Sequence, residues 1–172
     1  MIQAIGAIMI LFAGAMFGFA QAAKYTDRAV QLRQLLHALQ RLETEIGYGH
    51  TPLPVALDNA ASGLRGPVPE LFRDASGRLG KGDGLMFREC WEAALDGGWP
   101  RTALLQAERT SLARLGSALG ISDREDQIKH LRLAMLQIRA EEETAREEQS
   151  RYGKMWRSLG VLAAALVVIL ML

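Results

Sequence analysis

Cysteine is nearly absent from the chain. Cys90 stands alone among 172 residues, so no disulfide can form within it, as expected of a protein domain kept in a reducing compartment. Net charge is also missing: 20 Lys and Arg against 19 Asp and Glu leave +1. That balance argues against a nucleic-acid binder, which carries a basic excess. No H-E-x-x-H or C-x-x-C spacing supplies a metal site, and no nucleophile elbow or Ser–His–Asp pattern supplies a hydrolase centre. "GKGDG" at Gly80–Gly84 lacks the spacing, the Gly-Lys-Ser/Thr ending and the preceding strand of a phosphate-binding loop, and reads as a turn.

The most informative absence is local. No charged residue occurs from Ile2 to Ala23, and none from Leu159 to Leu172. All Lys, Arg, Asp and Glu lie between these two apolar ends. The first run, about 22 residues long, suffices to span a bilayer core. "AQA" at Ala20–Ala22 resembles a signal-peptidase site, but no Lys or Arg precedes the run, which also exceeds the usual length of a signal-peptide core. A retained anchor is therefore the favoured reading over a cleaved leader. The second run covers only about 21 Å as a helix, or about 27 Å with Met155 and Trp156. Trp156 and Tyr152 suit an interfacial belt, so a short span is expected there, with a buried core helix as the competing reading.

Lys24, Arg28 and Arg33 follow the first run, and Arg151, Lys154 and Arg157 precede the second. The positive-inside rule then places the middle of the chain in the cytoplasm and both ends outside. The expected organisation is a transmembrane helix over 1–23, a cytoplasmic helical domain over 24–157 and a second transmembrane helix over 158–172. Gly14 with Gly18, and Gly160 with Ala164, are small-residue pairs four apart that would let membrane helices pack closely.

Between the ends the periodicity is helical. Leu32, Leu35, Leu39, Leu42 and Ile46 form one stripe of a helix expected from Thr26–Asp27 to Gly47 or Gly49. Thr51 is placed to cap the next helix with Pro52 in its first turn, followed by Ala56, Leu57 and Ala60. "GLRGPVP" breaks the chain before a stripe of Val68, Leu71, Phe72, Ala75 and Leu79. Phe87, Trp91, Ala94 and Leu95 mark a short helix closed by "DGGWP", and a further helix over 101–119 is expected to bury Leu105, Leu112, Leu115 and Leu119. In the last and longest helix, Ile128, Leu131, Met135 and Ile138 begin a seam continued by Ala145, Tyr152, Trp156 and Leu159. Glu142 and Gln149 interrupt it, which disfavours a dedicated coiled coil. The pairs Arg139–Glu143, Glu142–Arg146 and Glu147–Arg151 are spaced for salt bridges along that helix. The fold class is all-α: a bundle of about six helices with short Gly/Pro turns.

"GISDREDQIKHL", from Gly120 to Leu131, concentrates acids beside a histidine. Ser122 and Glu125 fit a capping box, and Asp123, Glu125 and Asp126 suit the positive end of the helix dipole. Asp126 and His130 are four apart and could pair, the basis for an alternative reading as a membrane-tethered hydrolase using these two side chains. Two side chains do not close a zinc site, so no metal, cofactor or catalytic residue is expected. Cys90 beside Trp91 reads as a packed thiol, and His37 and His50 are isolated.

Three blocks, "LRQLLHALQRLETEIGYGHTPLPVAL", "SDREDQIKHLRLAMLQ" and "AREEQSRYGKMWRSLGVLAAALVVILML", together resemble the stage III sporulation protein AB family. The order and spacing of both apolar ends share the resemblance, while Gly63–Trp99 matches loosely. The resemblance implies a non-enzymatic membrane protein of endospore formers, held in the mother-cell membrane around the forespore, with a helical domain similar to that of type II secretion F-type platform proteins. It further implies partners: the bilayer, other subunits of the stage III membrane complex and a cytoplasmic sporulation ATPase, with self-association as an open option and no nucleic acid. Glu43, Glu45, Arg124, Asp126, Lys129 and His130 are the residues expected on a partner-facing surface.

Overall fold

A computed structural model describes the backbone of residues 2–48, 51–81, 84–120 and 123–171, and the side chains there except at many positions within 2–21 and 153–171. Among the described residues there are six α-helices, one 3-10 turn and no strand. They are α1 (Ile2–Tyr48), α2 (Leu53–Ala61), α3 (Pro67–Gly80), α4 (Phe87–Gly98), the turn Trp99–Arg101, α5 (Gln106–Ala118) and α6 (Arg124–Met171). The chain forms two compact units: Val30–Glu142, and Met1–Ala29 together with Glu143–Leu172.

Within Val30–Glu142 the apolar stripe of α1 behaves as its period requires: Leu32, Leu35, Leu39 and Leu42 are fully buried. Ala56, Leu57, Ala60 and Ala61 of α2 join Val68, Leu71, Phe72 and Ala75 of α3 in the same core. Its centre is Trp91 on α4. The indole meets Phe72 edge-on at 5.2 Å between ring centres and lies nearly parallel to Phe87 at 5.8 Å, and its Nε1 donates to the Leu112 carbonyl at 2.7 Å. Gly116, one turn further along α5, is where a Cβ would overlap the indole ring. Gly120 turns the chain out of the α5 region with φ of +87°, a conformation open to glycine and strained for other residues.

Several helix starts differ from expectation for local reasons. Pro52, not Thr51, occupies the cap of α2, and the Ala56 N–H donates to the Pro52 carbonyl at 3.0 Å. The helix expected from residue 101 begins only at Gln106, because Trp99-Pro100-Arg101 forms a 3-10 turn closed by the Thr102 N–H on the Trp99 carbonyl. As a result Leu105 is exposed and Leu104 is buried in its place. Glu108 reaches back to the Leu105 N–H at 2.7 Å and Glu89 to the Met86 N–H at 2.9 Å, each filling half of a capping box.

In the unit made of Met1–Ala29 and Glu143–Leu172, polar groups face one another across α1 and α6. Arg28, a buried residue, donates its guanidinium to Glu148 at 3.2 Å. Gln149, one of the interruptions in the α6 seam, donates to the Thr26 hydroxyl at 3.3 Å, and the Tyr25 and Tyr152 rings lie 5.8 Å apart. The described residues of both apolar runs are helical. Among the described residues no helix is long and apolar enough to cross a membrane. Most side chains of the two expected spans, including Gly14, Gly18, Gly160 and Ala164, lie outside those described.

Candidate partner-interaction surface

The N-terminal turns of α6 carry four of the six residues expected at a surface. Asp123 caps them: its Oδ1 accepts from the Asp126 N–H at 2.9 Å, and the helix starts at Arg124. Asp123 and Asp126 stand one residue beyond Ser122 and Glu125, the pair expected from the sequence to cap the helix. Ser122 itself lies outside the described residues, and Glu125 is exposed in the first turn. A short carboxylate suits the position as well as a hydroxyl, with the helix dipole adding to its preference.

The six residues separate into two groups. Glu43 accepts from the Arg132 Nε at 2.6 Å, Glu45 from the Asn59 amide at 3.2 Å, and Arg124 donates its Nε to the Ile46 carbonyl at 2.7 Å. These three tie α1 to α6 and α2. Together with Arg33, which donates to Glu142 at 3.4 Å, they fix α6 antiparallel to α1 within this unit. Asp126, Lys129 and His130 instead face solvent, and no side-chain hydrogen bond joins Asp126 to His130.

Sequence reasoning missed what continues this face. Leu133 and Leu136 are 48% and 62% exposed. Leu136 and Met135 line an open groove of about 330 Å³ with Gln40, Glu43, Arg132 and Arg139. The signal was present: "LRLAMLQI" carries more large apolar residues than a one-sided helix needs, and Leu131 and Ile138 already fill the buried side. A second open concavity, about 390 Å³, is lined by Arg41, Thr44, Glu45, Asn59 and Ser62. Among the described residues no group of three or more His, Cys, Asp or Glu is placed to hold a metal ion. Cys90 is buried at 1% exposure. Away from this face, the Arg88 guanidinium is held above its ordinary value, chiefly by its hydrogen bond to Glu92.

A family model described as stage III sporulation protein AB matches residues 3–172. The chain belongs to that family. It is 41% identical to stage III sporulation protein AB of Bacillus subtilis (strain 168), over 100% of both sequences. Its fold is similar to a solved structure of stage III sporulation protein AB (SpoIIIAB), with a TM-score of 0.68 at 41% identity, covering 73% of this chain and 98% of that one. The resemblance carried by the three sequence blocks is thereby established across the chain, including the loosely matching Gly63–Trp99.

Proposed function

We propose that the chain is a non-enzymatic scaffold subunit of the assembly linking mother cell and forespore. It is held in the mother-cell membrane by its two apolar ends, with the intervening helical domain (24–157) in the cytoplasm. There the domain docks a sporulation ATPase and neighbouring membrane subunits, in the manner of the F-type platform proteins of type II secretion. Family membership supports the setting. The observation that carries the docking role is the outward face of α6, where Lys129 and His130 run into the exposed Leu133 and Leu136. Exposed apolar side chains rimmed by charge mark surfaces that meet other proteins. Glu43, Glu45 and Arg124 serve this face indirectly, by holding α6 and α2 against α1.

The test is co-purification of the full-length chain with the ATPase from sporulating membranes. The wild-type chain is expected to retain it, and the Leu133→Glu/Leu136→Glu chain to lose it at unchanged helicity. Equal recovery with both would remove α6 as the docking face, and no recovery with either would remove the ATPase as a partner.

A further inference from the structure

The unit formed by both ends of the chain carries a one-sided charge that anchoring alone does not use. Its acids stop short of the apolar runs. Asp27 is the first acid in the sequence and Glu148 the last, and Glu148 is engaged by Arg28. Between these acids and the apolar runs stand four bases: Lys24 on α1, and Arg151, Lys154 and Arg157 on α6. Lys24 and Arg151 are exposed, and the Arg151 guanidinium lies 5.9 Å from the centre of the Tyr152 ring. The contacts Tyr25–Tyr152 and Thr26–Gln149 set the antiparallel register, so Lys24 falls level with residues 151–153. Residues 151–157 rise only about 9 Å along a helix, close to the depth of one headgroup layer. Past this level, the exposed large side chains among the described residues include Phe12, Met16, Leu159, Leu162, Leu166 and Ile169, all apolar.

Lys24 and the stretch 151–157 supply four bases and no acid in the sequence next to the apolar runs, which matches an anionic lipid surface in sign, depth and polarity. We propose that Lys24, Arg151, Lys154 and Arg157 bind the headgroups of anionic phospholipids and hold acidic lipid around the chain. This rests on the membrane reading above and adds the lipid class. Each base near a negatively charged surface strengthens association about fivefold at low salt, and the gain fades as ionic strength shortens the screening length.

The full-length chain is reconstituted into vesicles of phosphatidylcholine mixed with phosphatidylglycerol and re-extracted in mild detergent at rising salt, and the ratio of the two lipids it retains is measured. The wild-type chain is expected to enrich phosphatidylglycerol about fivefold over the starting mixture, with the enrichment vanishing at high salt. Lys24→Gln/Arg151→Gln/Lys154→Gln/Arg157→Gln is expected to retain both lipids in the starting ratio. A wild-type chain that retains both in the starting ratio, or an enrichment untouched by salt, would overturn the lipid assignment alone. A chain that fails to float with the vesicles at all would overturn the membrane reading as well. The salt series on the wild-type chain decides the question even if the fourfold variant does not fold.

Discussion

Gly116→Ala adds one methyl group at a closely packed contact in Val30–Glu142, and the direction of its effect can be worked out. In an open helix the substitution stabilises by about 1 kcal/mol, because glycine loses more backbone freedom on folding. At residue 116 the new Cβ would overlap the Trp91 indole. The ring has little room to withdraw, being set between Phe72 and Phe87 and tied by its N–H to the Leu112 carbonyl. Overpacking a filled core costs about 1–3 kcal/mol, and a ring restrained in this way belongs in the upper half of that range. The expected net is a loss of about 1–2 kcal/mol, or roughly 4–8 °C in the melting midpoint of a domain this size. Gly77→Ala on α3 is the internal control, since a Cβ there meets nothing within 4 Å. It is expected to raise the midpoint by roughly 2–4 °C. Thermal unfolding followed by circular dichroism at matched detergent concentration measures both. A Gly116→Ala chain as stable as the wild type would refute the packing described around Trp91.

Three further outcomes follow from individual contacts. Glu108→Ala removes a fully buried carboxylate from the Leu105 N–H and is expected to cost about 1.5–3 kcal/mol in urea unfolding, whereas the exposed counterpart Glu89→Ala costs about 0.5 kcal/mol; equal losses would contradict the burial of Glu108. Asp123→Ala is expected to lower stability by about 1 kcal/mol and Asp123→Asn to change it little, as an N-cap requires. Asp126→Asn, which keeps the cap and removes the charge, is expected to leave spore yield unchanged; a collapse in yield with normal protein levels would revive the hydrolase reading.

Much of the helical architecture was legible because burial imposes a period. Leu32, Leu35, Leu39, Leu42, Leu57, Phe72, Trp91 and Leu112 all lie in the core at positions that spacing alone marks out. Boundaries were less legible. Thr51 and Pro52 are neighbours that can each start a helix, and the outcome depends on how the preceding turn enters. Leu105 lies seven residues before Leu112 and fits the stripe, yet the 3-10 turn at Trp99–Arg101 delays α5 and buries Leu104 instead. At the surface, the difficulty was distance along the chain. Arg132 finds Glu43 from 89 residues away, and Arg33 finds Glu142 from 109. No local pattern announces such partners. The charge run of α6 therefore read as pairs along one helix, although Glu142 and Glu148 also reach across to Arg33 and Arg28.

The docking role of α6 is tested most directly by replacing Leu136 with a photoreactive amino acid in sporulating cells. His37, exposed on α1, serves as the control position. Illumination is expected to yield a crosslink from residue 136 to the sporulation ATPase or to a neighbouring membrane subunit, with none from residue 37. A crosslink from residue 37 and none from residue 136 would place the docking surface on another face and contradict the account.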